Sequence, residues 1–251
     1  GEMEDKPPFY QALMDGQFYG DDPGLQDRAW GDVKIRPEMG PEETRRLRAV
    51  YSGMVSLMDH HIGRIIDRLE ARGLLDETLV VFTSDHGDYL GDHGLWGKGL
   101  PTYEEMQRVP FVVRHPACKT PGQTSRALQS LVDVEATSLA AAGRQAGIGS
   151  QGISQLEAWS DAGTAPRDWA LVEFRPGHGA FYQRTYIEDR HKLVEYEGRD
   201  YGELYDLTED PNQFQNLYDD RGFRSVQQDL VARFKAHGFR EERVRERKAV
   251  A

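Results

Sequence analysis

Hydrophobic positions change period several times along the chain. Over residues 41–72, Leu47, Val50, Met54, Leu57, Ile62, Ile65 and Leu69 recur at three- to five-residue spacing, which predicts a helix with one buried stripe. Pro41 suits its first turn, Glu42 and Glu43 complement the positive end of its dipole, and Gly73 supplies the stop. Residues 79–82 (LVVF) are an unbroken apolar run, which fits a strand covered on both faces, as in a parallel sheet. A second such strand is expected over 109–114 (VPFVVR) and a helix over 130–142, ended by Gly143. From residue 168 the pattern becomes β-rich. Strands are expected over 169–174, 179–188, 192–197 and 203–207, followed by a helix over 222–248 with Phe223, Val226, Leu230, Phe234 and Phe239 on one face.

These elements predict an α/β fold: a mixed, largely parallel sheet flanked by helices, then a smaller antiparallel sheet with one helix. The Gly- and Pro-punctuated stretch 144–168 marks the boundary, so that 1–167 forms the α/β core and 168–251 a small α+β subdomain. Residues 1–40 are rich in Pro, Gly, Asp and aromatics without a clear period, and read as an irregular segment wrapped over a larger body.

Candidate chemistry concentrates where the first strand ends. Asp85 and His86 follow directly, and Gly87, Gly91, Gly94, Gly97 and Gly99 then let the backbone fold closely around a ligand. Asp88, Asp92, His93 and Lys98 share this loop. In open α/β sheets ligands sit beyond the carboxyl ends of strands, so the placement suits an active site. A hard divalent cation wants the carboxylate, and imidazole is accepted by manganese, iron or zinc and less readily by calcium. Lysine supplies a compact charge for an anion. Each residue alone also fits a structural role: Asp85 as a turn cap, His86 as a hydrogen-bonded core histidine. Adjacent His60 and His61 on the long helix point about 100° apart and make no metal site. Asp133 reads as structural, a cap or a partner for a loop amide.

The string SDHGDYLGDHGLWGKG, followed by YEEMQRVPFVVRHP, resembles the sulfatase branch of the alkaline phosphatase superfamily, and most of all its choline-sulfatase, iduronate-sulfatase and phosphonate monoester hydrolase types. The likeness extends to YSGMVSLMDHHIGRIIDRLEARGLLDETLVVFTSDHG and to GELYDLTEDPNQFQNLYDD, with Gln213 or Phe214 where the family often carries an acid. The resemblance implies that Asp85 and His86 are one pair of ligands to an active-site divalent cation, calcium first and manganese second. It implies that Lys98 touches the non-bridging oxygens of a sulfate or phosphate ester, and that His93 assists the leaving group or braces the loop.

The family's other ligand pair, an Asp-Asp near its N-terminus, and its Cys/Ser-x-Pro/Ala-x-Arg motif, where formylglycine forms, have no counterpart in this sequence. Cys118, in ACKTPGQ, does not fit that motif. The expectation is therefore the C-terminal part of a sulfatase-like, metal-dependent sulfuric ester hydrolase, inactive without its N-terminal half. Its substrate would be a small-molecule or saccharide sulfate ester. A phosphonate monoester or phosphodiester hydrolase is the alternative enzyme, and a catalytically silent metal- or anion-binding module or subunit the alternative outside enzymes.

Composition narrows the partners. A formal charge of −11 argues against nucleic acid, and 38% hydrophobic with 29% charged residues describes a polar globular chain. One cysteine excludes an internal disulfide, and no apolar run approaches a membrane span, so no membrane partner is expected. A sheet edge left unpaired by the absent half would invite an oligomer. A cytoplasmic or a periplasmic bacterial setting fits equally.

Overall fold

The computed structural model describes residues 5–15, 34–36, 39–100, 102–175 and 181–237. In chain order its elements are α1 (Pro8–Met14), β1 (Lys34–Ile35), α2 (Pro41–Glu70), β2 (Val80–Thr83), β3 (Leu95–Trp96), α3 (Glu104–Gln107), β4 (Phe111–Arg114), α4 (Asp133–Ala141), α5 (Leu156–Ser160), β5 (Trp169–Phe174), β6 (Gln183–Glu188), β7 (His191–Tyr196), β8 (Gly202–Asp206) and α6 (Arg224–Ala236). The α/β class expected from the sequence holds. Residues 179–180 of an expected strand and 238–248 of the expected last helix lie outside the described residues. Where the sequence reading divides the chain once, between 167 and 168, the structure interleaves two compact units. One gathers 1–35, 98–107 and 169–251; the other gathers 36–97 and 108–168.

In the first unit β5, β6, β7 and β8 form an antiparallel meander in chain order. Successive side chains point to opposite faces of a strand, and here both faces are covered. On one face Tyr186, Leu193 and Leu204 pack with Leu217 and with Leu230 and Phe234 of α6. Strand residues of the opposite parity carry the other face, which is polar and aromatic. There Phe9 of α1 meets Tyr196 edge-on at 5.5 Å between ring centroids, and Tyr10 of α1 meets Tyr103 at 5.8 Å. Gly202 admits no side chain, because a Cβ there would lie 2.3 Å from the Tyr218 ring.

In the second unit β2 and β4 pair antiparallel, from Val80 opposite Arg114 to Thr83 opposite Phe111. The expected parallel neighbours are not among the described pairings, and β2 is not covered on both faces. Phe82 and its cross-strand partner Val112 remain 41% and 61% exposed. Helix α2 forms where expected and stops as expected: Gly73 takes φ 67 and its amide donates to the Glu70 carbonyl. Its apolar stripe is not buried. Val50, Leu57 and Ile65 are each more than half exposed, and no residue of α2 is buried. The period sets the face, but burial needs a covering element, and the described residues supply none.

Asp133 confirms its structural reading and exceeds it. Its carboxylate accepts from the amides of Ser130 and Ile153 at 2.9 and 3.0 Å and from both guanidinium nitrogens Nη1 and Nη2 of Arg167 at 3.2 and 2.5 Å. Both side chains are buried, and the multiple donors are what make burial of this charge tolerable.

Two outcomes follow from this packing. Leu204 is fully buried, so Leu204→Ala should cost about 2–5 kcal/mol, read as a lowered denaturant midpoint, whereas Val50→Ser on the exposed stripe should stay within about 0.5 kcal/mol of wild type. An unchanged midpoint for Leu204→Ala would remove Leu204 from the core.

The second outcome is a pH dependence. Hydrogen bonds from Arg190 hold the Asp206 carboxyl below its ordinary value of 3.8. The unfolded chain therefore takes up this proton first as pH falls, so the pair's stabilisation is complete above about pH 4 and is lost as pH drops through the folded-state value. Asp206→Asn should lower stability at pH 7 and flatten the acid limb of a stability-versus-pH curve. A limb of unchanged steepness would mean that other carboxylates carry it.

Candidate active-site loop

Strand β2 ends at Thr83 and delivers Ser84, Asp85 and His86 into the loop that follows. The Ser84 hydroxyl donates to the His86 carbonyl at 2.8 Å, and the His86 amide donates to Asp85 Oδ1 at 3.1 Å, which turns both side chains out of the strand. His86 Nδ1 lies 2.8 Å from the Gly87 carbonyl oxygen. A carbonyl only accepts, so Nδ1 carries the proton and, in the neutral ring, Nε2 presents a lone pair. Nε2 faces Asp85 Oδ2 at 3.6 Å. Two acceptors turned toward one another repel unless a proton or a cation lies between them. A second-nitrogen hydrogen bond to a backbone carbonyl is also how metal-binding histidines fix their tautomer. The donor chemistry of the pair therefore fits a shared cation, with Asp85 largely open to solvent and His86 partly so.

The loop beyond is held by its backbone. The Leu90 amide donates to Asp88 Oδ1 at 2.9 Å, the Tyr89 amide to the Gly97 carbonyl at 3.1 Å, and the Gly91 amide to the Leu95 carbonyl at 2.8 Å. Tyr89 is fully buried at the centre of this turn. Leu90, Gly91 and His93 all take positive φ, and a Cβ on Gly91 would stand 2.9 Å from the Trp96 ring. Such backbone is costly for Leu90 and His93, and it persists because the surrounding contacts over-determine it.

One of those contacts comes from α2. Arg48 Nε donates to the Leu90 carbonyl and its Nη2 to Asp92 Oδ1, each at 2.7 Å. Sequence reading missed Arg48, because a lone arginine on an amphipathic helix carries no signal of a partner 42 residues away.

The structure thus brings Asp85 and His86 together and engages Asp88 and Asp92 in holding the loop. His93 stands in the left-handed turn over 92–94, and Lys98 is exposed at the start of the segment that belongs to the first unit. Among the described residues no three His, Cys, Asp or Glu side chains gather as a complete metal site.

Residues 6–144 match the sulfatase family, and residues 91–239 match the C-terminal region of N-sulphoglucosamine sulphohydrolase. The chain is 33% identical over 210 residues to an N-acetylglucosamine-6-O-sulfatase of Bacteroides thetaiotaomicron, a match covering 80% of this chain and 37% of that protein. Its structure aligns with the phosphonate monoester hydrolase of Silicibacter pomeroyi at a TM-score of 0.74 and 27% identity, over 94% of this chain and 47% of that one. A protein solved in complex with its substrate D-glucosamine-2-N,6-O-disulfate aligns at 0.66 and 31% identity, over 73% of this chain and 38% of its own. The chain therefore spans less than half the length of each of these proteins. The family pattern runs without a break through the loop that β2 opens and on into the C-terminal sheet, and by it the chain belongs to the sulfatase family of the alkaline phosphatase superfamily.

Proposed function

We propose that this chain contributes one ligand pair and a substrate-binding lysine to a metal-dependent sulfuric ester hydrolase acting on sulfated saccharides. The observation that carries the reading is the pinned imidazole of His86, whose Nδ1 is bound to Gly87 while Nε2 faces the Asp85 carboxylate. Asp85 and His86 would hold a divalent cation, calcium as first candidate and manganese as second. Calcium takes about six to eight ligands, mostly oxygen, so this pair is part of a larger sphere. The cation supplies Lewis-acid polarisation of the ester oxygen when bound. Lys98 places an ammonium against the non-bridging oxygens of the transferred group, where charge develops. His93 braces the loop through its left-handed backbone.

The remaining ligands and the formylglycine nucleophile are assigned to an N-terminal part of the protein. The absence of a Cys/Ser-x-Pro/Ala-x-Arg pattern in these 251 residues supports that assignment. The saccharide reading rests on the names of two relatives, an N-acetylglucosamine-6-O-sulfatase and a protein bound to a glucosamine disulfate. The likeness to a phosphonate monoester hydrolase favours a second reading, which the ratio of rates on sulfate and phosphonate esters separates.

Residues 1–251 alone, with calcium or manganese added, should hydrolyse an aryl sulfate no faster than buffer. Metal-dependent turnover by this chain would overturn the division of labour.

In the full-length enzyme Asp85→Ala and His86→Ala should lower metal content, measured by elemental analysis, together with rate. Lys98→Ala should keep the metal and lose about 10²–10³-fold in single-turnover rate, the scale of removing one charge-stabilising donor. Full metal and full activity in His86→Ala would remove it from the ligand set.

A further inference from the structure

Lys98 is the first residue of a short segment, 98–107, that packs within the first unit, and that segment is gripped from the C-terminal sheet by charge. Lys192 of β7 is fully buried. Its Nζ donates to the Thr102 carbonyl, to Glu104 Oε1 at 3.1 Å and to Gln213 Oε1 at 3.4 Å. Gln213 Oε1 also accepts from the Glu104 amide at 2.8 Å, so one amide oxygen joins the lysine to the start of α3.

Gln213 is itself locked. It is 1% exposed and has φ 59, its amide donates to the Asp210 carbonyl at 3.1 Å, and its carbonyl accepts from Lys6 Nζ at 2.6 Å. Both groups facing Oε1 only donate, which fixes the amide orientation. The Gln213 Nε2 atom is buried without a hydrogen-bond partner. A side chain that uses its oxygen twice and its nitrogen not at all works as an acceptor. A buried ammonium, likewise, is retained only where its donors are answered. Burial pushes the Lys192 ammonium below its ordinary pKa, and Glu104 pulls it back toward the charged form.

We propose that Lys192 and Gln213 are positioning residues for Lys98, fixing segment 98–107 by its Thr102 carbonyl and by the amide and carboxylate of Glu104. The proposal rests on the assignment of Lys98 to the transferred group. It makes the polar face of the C-terminal sheet part of the catalytic apparatus at one remove, without contact to substrate.

The test uses Gln213→Leu, which removes the acceptor, and Gln213→Glu, which keeps an oxygen acceptor facing Lys192 and the Glu104 amide and replaces the unpartnered nitrogen with a second oxygen, the carboxylate being set against the Lys192 ammonium. In this chain, amide hydrogen exchange over 98–107 should accelerate in Gln213→Leu and return to wild-type protection in Gln213→Glu, with α6 unchanged in both. In the full-length enzyme, Gln213→Leu should lower kcat on an aryl sulfate by roughly 10- to 100-fold with little change in KM, and Gln213→Glu should restore it. In a Lys98→Ala background, Gln213→Leu should cost nothing further. Lys192→Met, which removes the grip from the other side, should repeat the result and serves if Gln213→Leu does not fold.

Equal losses with and without Lys98 would overturn the proposal, as would unchanged exchange over 98–107. A near-normal rate for Lys98→Ala would instead sink the assignment of Lys98, and the positioning role with it, while leaving the exchange result as a purely structural finding.

Discussion

A fully buried carboxylate governs how the first unit closes. Glu203 of β8 has no exposure, and the energetic cost of such a charge is met only by donors placed around it. Tyr10, Tyr196 and Tyr205 each give it a hydroxyl hydrogen bond. Burial, then the negative charge of Glu203, raises all three phenols well above their ordinary pKa, so they remain donors throughout the physiological range. Lys6 Nζ in turn donates to the Tyr205 hydroxyl at 3.0 Å. Because Lys6 and Tyr10 come from the first described stretch and Glu203 from near the end, this network cannot form until distant parts of the chain have met. A half-satisfied version would be worse than an apolar face, which makes closure of this sheet cooperative.

The two tethers on the motif loop and its continuation have different physics. Arg48 holds the loop at Leu90 and Asp92 through an exposed guanidinium, with about half of both its own side chain and that of Asp92 open to solvent. An exposed pair of this kind adds at most about 1 kcal/mol, so its contribution is to orientation more than to stability. Lys192 and Gln213 hold segment 98–107 from inside, through a buried ammonium and a buried amide oxygen that water does not reach. A loop pinned weakly from a helix and a segment pinned strongly from a sheet tolerate different degrees of motion, each within its own unit. The left-handed backbone at Leu90 and His93 marks the weaker tether as the place where strain is stored.

Local chemistry was legible in the sequence where it depended on local rules. Pro41, Glu42, Glu43 and Gly73 bracket α2 because capping and dipole effects act within one turn. The adjacency of Asp85 and His86, which the structure brings together at 3.6 Å, could be read from their order alone and made the loop a candidate site. Asp133 was legible as a loop partner, yet Arg167, its buried counter-ion, was not, since it lies 34 residues on with nothing periodic between them. Lys192 and Glu203 were hidden for a related reason. They sit in strands buried on both faces, where the alternation that normally separates inward from outward residues is lost. A charged residue inside such a strand reads as solvent-facing until its partners, Glu104 or Tyr10, are seen across the fold. The interleaving of 98–107 with the C-terminal sheet had no sequence signal for the same reason.

The exposed stripe of α2 and the Phe82–Val112 pair pose a problem of free energy that the described residues do not solve. Leaving a large aliphatic side chain in water forgoes about 1.5–3 kcal/mol each, and Val50, Leu57, Ile65, Phe82 and Val112 are all substantially exposed. Exposed apolar side chains in this number are a candidate surface for contact with other protein. Under the functional proposal, the residues that complete the cation's ligand sphere and carry the nucleophile also have to be held close to the loop after β2. An element packed along α2 and on the β2–β4 face would meet both demands at once, covering the stripe while placing its own ligands at the end of β2. If such an element also completed the proposed ligand sphere, Asp85 and His86 would hold a divalent cation only once that packing had formed, and the cation would supply binding free energy to the packed state.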